Sequence, residues 1–95
     1  MEDRQIMIEI LAQRYRCELA DLQLSRGHYD YALKEFFQCE KNTLQILQKS
    51  PNHPEAIYFL KFLYDLIIEC CQAQGDQETE KLYTQKLQYL KNINK

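Results

Sequence analysis

Ser50-Pro51-Asn52-His53-Pro54-Glu55-Ala56 lies at the middle of a 95-residue chain and holds both of its prolines. Proline disfavours helical geometry in the residue before it, so this segment ends the helix that precedes it. Asn52 followed three residues later by Glu55 has the form of a capping box, and Pro54 is tolerated in a first turn, where its missing N–H has no intrahelical partner. The stretch therefore predicts a stop and a restart. Outward from it in both directions, the next breakers are the chain's only two glycines, Gly27 and Gly75, each 24 residues from Pro51. The three breaks leave four helix-length pieces, which predict two consecutive antiparallel helical hairpins with little loop between them.

Each piece carries a helical pattern. From about Asp3 to Ser25, Met7, Leu11, Tyr15, Leu19 and Leu22 recur every three or four residues, with Ile10, Ala12 and Ala20 beside them. That spacing predicts an amphipathic helix with this stripe as its buried face. Gly27 then supplies a left-handed stop after a basic residue, Arg26. From about Tyr29 to Gln48, Tyr29, Ala32, Leu33, Phe36, Phe37, Leu44 and Leu47 form the stripe of a second helix. Between Ile57 and Cys71 every residue is apolar or aromatic except Lys61, Asp65 and Glu69, four apart. One narrow polar line on an apolar cylinder predicts the central helix, packed on most of its circumference. The three charges also break the run needed for a membrane span. After Gly75, Asp76 is placed to cap a fourth helix from about Gln77 to Asn92, with Glu78 and Glu80 early and Lys86 and Lys91 late. Its stripe is Leu82, Tyr83, Leu87, Leu90 and Ile93, and its wide polar face predicts an outer position.

Twelve basic against fourteen acidic side chains give a formal charge of −2, which offers no electrostatic footprint for nucleic acid or an anionic membrane. The charged start Met1-Glu2-Asp3-Arg4 lacks the pattern of a secretory signal. The expected location is cytoplasmic or nuclear. Cys17, Cys39, Cys70 and Cys71 contain no C-x-x-C pair, and His28 and His53 do not complete a zinc spacing, so no metal is expected. Helical free cysteines beside apolar neighbours are expected to be reduced core residues. Cys17 with His28 lacks an orienting third group and an oxyanion-hole turn. With no phosphate loop, metal set or convergent carboxylate pair, neither a cofactor nor an enzymatic activity is expected.

Leu19-Ala20, Gly27, Tyr29, Ala32, Phe36 and Cys39 together resemble the pattern of a tetratricopeptide repeat. In that family a large and a small residue on the first helix are followed by a helix-ending glycine. Tyrosine, alanine, an aromatic and a small residue then follow on the second. The small Ala20 and Ala32 would let two antiparallel helices approach closely. Ser50 to Ala56 resembles the joint between repeats in the longer class found in kinesin light chains, with Ser50 and Asn52 in place of glycine and aspartate. A degenerate second copy places Tyr64 and Ile67 at large positions, then Gly75, Thr79, Leu82 and Tyr83. Ile68 stands at a normally small position, Thr79 replaces alanine, and the segment after Gly75 is one residue short, so a more open second hairpin is expected. The resemblance covers about residues 13 to 92, with repeats at about 13–49 and 54–92 of one all-α domain spanning 1–95. A plain four-helix bundle is the alternative architecture.

The resemblance implies a protein-binding module whose concave surface is lined by the first helix of each repeat. The family's groove positions fall on Arg14, Cys17, Asp21 and Leu24, and on Phe62, Asp65, Glu69 and Gln72. Asp65 and Glu69 also belong to the polar line read from periodicity, which reads equally as the solvated edge of a buried helix. The family's clamp for a terminal carboxylate is absent, since Cys17, Asp21, Asp65 and Glu69 occupy its places. The expected partner is a protein or peptide, best a basic or amphipathic helical segment that Asp21, Asp65, Glu69 and Phe62 would suit. Repeat arrays generally need three or more units. Two repeats leave apolar surface, including Tyr31 and Tyr58, to be covered by further repeats, by a larger partner or by a homo-oligomer. The alternative function is a structural helical subunit that assembles without a peptide groove.

Overall fold

A computed structural model describes residues 2–93 as four helices: α1 Asp3–Ser25, α2 Tyr29–Lys49, α3 Pro54–Gln74 and α4 Gln77–Ile93. Among the described residues there is no strand. The breakers act where the sequence places them. Gly27 and Gly75 sit at φ +84° and +75°, the left-handed region that glycine enters without a Cβ penalty. His28 N–H donates to the Gln23 carbonyl at 2.9 Å and Gly27 N–H to Leu24 at 2.9 Å. Asp76 N–H donates to Cys71 at 2.9 Å and Gly75 N–H to Gln72 at 3.2 Å. Both hairpins therefore turn through the same paired capping bonds that satisfy the orphan carbonyls of a helix end. Asp76 caps α4, its Oδ1 accepting from Thr79 N–H at 3.2 Å.

The restart at the central joint differs from the expected capping box by one residue. His53, not Asn52, is the cap of α3: its Nδ1 accepts from Ala56 N–H at 3.4 Å, with Pro54 in the first turn. Because Nδ1 accepts, Nε2 carries the ring hydrogen and donates it to Asp3 Oδ1 at 2.6 Å. The imidazole thus fastens the start of α1 to the joint, a second task that an Asn52 cap would leave undone.

α3 is the central helix. It packs on α1, α2 and α4, and buries nine residues, more than any other helix. α1 and α4 do not meet, nor do the backbones of α2 and α4 approach each other. The helices are thus an open stack of two hairpins, not a ring closed from first helix to last. The slab they form measures 39 × 27 × 16 Å. Its core runs through Ala20, Ala32, Phe36, Cys39, Phe59, Leu63 and Ile67, all essentially inaccessible.

The buried face of α1 is not the expected one. Ile6, Ile10, Cys17 and Ala20 face the core, whereas Leu11, Tyr15, Leu19 and Leu22 are 61, 64, 47 and 58 % exposed. α1 carries two apolar faces. The one with small side chains wins because Cys17 and Ala20 allow α1 to close on Cys39 and Ala32 of α2, which bulky leucines and a tyrosine would hold away. In α2 the core side is Ala32, Phe36, Cys39, Glu40, Thr43 and Ile46, and the expected Phe37 and Leu44 lie at its margin. In α4 only Tyr83 and Leu87 are buried, and Leu82 and Ile93 point outward, as suits a helix with one backbone neighbour.

Candidate partner-binding face

α1 and α3 run side by side, and the residues expected to meet a partner divide between their shared surface and places away from it. On α3, Tyr58, Phe62, Asp65 and Glu69 follow at steps of four, three and four, so they share one helical face, and all are exposed. The first half of this face is aromatic. The Arg14 guanidinium of α1 lies over the Phe62 ring at 5.7 Å and the buried Phe59 ring at 5.9 Å, with the two rings 6.3 Å apart. This cation–π stacking holds Phe62 across the α1–α3 seam while leaving 39 % of it open.

The second half is acidic. Asp21 and Leu24 of α1 and Glu69 and Ala73 of α3, with Leu22 and Tyr29, border an open depression of about 430 Å³. Among the described residues Arg16 pairs with Glu35 and Lys86 with Glu40, and the neutral His53 imidazole holds Asp3. Among them Asp21, Asp65 and Glu69 take part in no ion pair, and Lys61, one turn before Asp65 on the same polar line, forms none either.

Two of the expected residues lie elsewhere. Cys17 is fully buried against α2 and offers nothing to a partner. Its thiol is pushed up by its hydrogen bond to Cys39, then by burial, which keeps it protonated. Gln72 reaches toward α4, donating to Glu80 Oε2 at 3.0 Å. Tyr58 belongs to the face, and its signal in the sequence was its place one turn before Phe62.

A separate polar cluster was not foreseen. Glu40, only 7 % exposed, stands on the core side of α2. Tyr83 donates to its Oε1 at 2.7 Å, Tyr64 to its Oε2 at 2.8 Å, and Lys86 Nζ to Oε2 at 3.1 Å. Lys86 also lies 4.4 Å from the Tyr83 ring centroid, and the Tyr64 and Tyr83 rings meet edge to face at 5.3 Å. Burial, then the bond to Glu40, raises both phenols well above the ordinary tyrosine range. With both carboxylate oxygens engaged and both phenols held protonated, the cluster clamps α2, α3 and α4 together.

Among the described residues no group of three or more His, Cys, Asp or Glu is placed to hold a metal ion. Among them, too, no helix is long and apolar enough to cross a membrane. Comparison of the chain with protein-family models, curated proteins and solved structures finds no match.

Proposed function

We propose that the α1–α3 face docks a basic, amphipathic helical segment of another protein, and that the chain is a non-enzymatic adaptor or scaffold module of the tetratricopeptide-repeat type. The observation that carries this reading is the pairing of an aromatic half, Tyr58 and Phe62, with three carboxylates that form no ion pair among the described residues. A helix laid along α3 would set apolar residues on the rings and lysines or arginines over Asp65, Glu69 and Asp21, and charge complementarity would fix its direction. Lys61, one turn before Asp65 on α3, forms no ion pair with it. Arg14 is spread over two rings and Lys86 serves Glu40, so neither neutralises the acidic half.

The test is fluorescence anisotropy with a synthetic amphipathic helix of leucine and lysine, about 18 residues long, beside its glutamate analogue and a scrambled peptide of the same composition. The lysine helix should bind best. D65K/E69K should weaken it at least about tenfold, as should raising the salt. Equal binding of the scrambled peptide, or indifference to D65K/E69K, would overturn the reading.

A further inference from the structure

Ile8, Leu11, Tyr15, Leu19 and Leu22 form an apolar stripe on the outward side of α1, and each is about half or more exposed. Aligning the equivalent turns, Gly27 on Gly75, superimposes these five positions on Ala56, Phe59, Leu63, Ile67 and Cys70 of α3, 48 residues later. Every one of those five is fully buried, and what covers α3 there is the rest of the hairpin stack. The same register is therefore a helix-packing face in the second hairpin and an uncovered one in the first.

From its internal symmetry we infer that the cover is α1 of a second copy of this chain, laid antiparallel across a two-fold axis at Tyr15. The stripe advances by three, four, four and three residues, so it reads the same in both directions from Tyr15. Reversing the helix places Ile8 opposite Leu22 of the other copy, Leu11 opposite Leu19, and Tyr15 opposite itself. Glu18, at the edge of the stripe, falls opposite Ala12, and the like charges that this register brings together on this face are Arg4 and Arg26, one turn beyond the two ends of the stripe. An interface of this kind is isologous and closes at two subunits. The exposed fractions of the five residues amount to on the order of 600 Å² per protomer, short of the ~800 Å² per partner of a standard interface. A contiguous apolar patch of that extent is at the upper limit for a monomer surface.

This surface shares Leu22 with the rim of the acidic depression but includes none of its carboxylates. Changes at Leu11 and Leu19 leave Asp21, Asp65 and Glu69 in place, so peptide binding and self-association can fail independently.

The test is solution mass combined with directed cross-linking. At about 100 μM the protein should sediment near 23 kDa, twice the 11.5 kDa chain. L11E/L19E should sediment as a monomer with unchanged helical circular dichroism, because both residues are exposed. All four native cysteines are fully buried, so an introduced surface cysteine is the accessible thiol. With a short bis-maleimide, Y15C should cross-link to itself, I8C should not, and a mixture of I8C with L22C should. A monomer at that concentration, a mass that keeps growing beyond the dimer, a dimer unaffected by L11E/L19E, or self-linking of I8C would each overturn the inference.

Discussion

The Tyr83 hydroxyl donates to Glu40 Oε1 at 2.7 Å, across a gap that the backbones of α2 and α4 do not close. The bond ties the second helix of one hairpin to the second helix of the other. Stacking of Phe37 on Tyr83, with centroids 5.7 Å apart, is its apolar counterpart. α4, packed along α3, is therefore tied to α2 through side chains alone, chiefly those gathered on the buried Glu40 carboxylate.

Removing that anchor should be costly. Glu40→Ala strands two buried hydroxyls and the Lys86 ammonium and should lower unfolding stability by about 3 kcal/mol in urea titrations. Glu40→Gln keeps an acceptor of similar shape but loses the ion pair, and should cost about half as much. If Glu40→Ala unfolds within about 0.5 kcal/mol of the wild type, the cluster is incidental to stability.

The same cluster sets an alkaline limit. Tyr64 and Tyr83 bind their protons more tightly when folded than unfolded, so their contribution to stability is fully present below the unfolded value of about 10. It declines as pH rises above that value, where the unfolded chain releases protons that the native state retains. Spectrophotometric titration near 295 nm should show two of the seven tyrosines ionising only as helicity is lost. Simple titration of all seven with circular dichroism unchanged would contradict the clamp.

Gly27 and Gly75 are needed for their backbone angle and not for space, since a Cβ at either would meet nothing within 4 Å. Gly27→Ala and Gly75→Ala should each destabilise by about 1 kcal/mol, the cost of a left-handed conformation for an L side chain. Asparagine, which tolerates that region, should recover much of the loss at both positions. Thermal melts of the four variants decide this, and an alanine variant as stable as its asparagine counterpart would refute it.

His53 joins two elements at once, capping α3 and holding Asp3 of α1. His53→Ala should cost about 1 kcal/mol, whereas Asn52→Ala should be nearly silent. Denaturant midpoints of the two variants would separate them, and a larger loss at Asn52 would restore the capping box as the stop-and-restart signal.

Most local signals were legible in the sequence. The turns at Gly27 and Gly75, the Asp76 cap and the restart at Pro54 depend on φ preferences and hydrogen bonds within a few positions, so they can be read from neighbours in the chain. The acidic half of the candidate face was legible for a similar reason: Asp65 and Glu69 interrupt an otherwise apolar helix. The joint was read one residue early because an asparagine and a histidine can both cap, and only the reach of His53 to Asp3 separates them.

The amino-acid sequence by itself determined four helices, their breaks and the central position of α3, because propensity, capping and periodicity act within single segments. Tertiary structure alone decided which of the two apolar faces of α1 is buried and that Glu40 is satisfied by Tyr64, Tyr83 and Lys86. Those outcomes depend on how closely α1 can approach α2, and on groups more than twenty residues apart meeting around one carboxylate. The small side chains of Cys17 and Ala20 settle the first, and in doing so turn Leu11, Tyr15 and Leu19 outward.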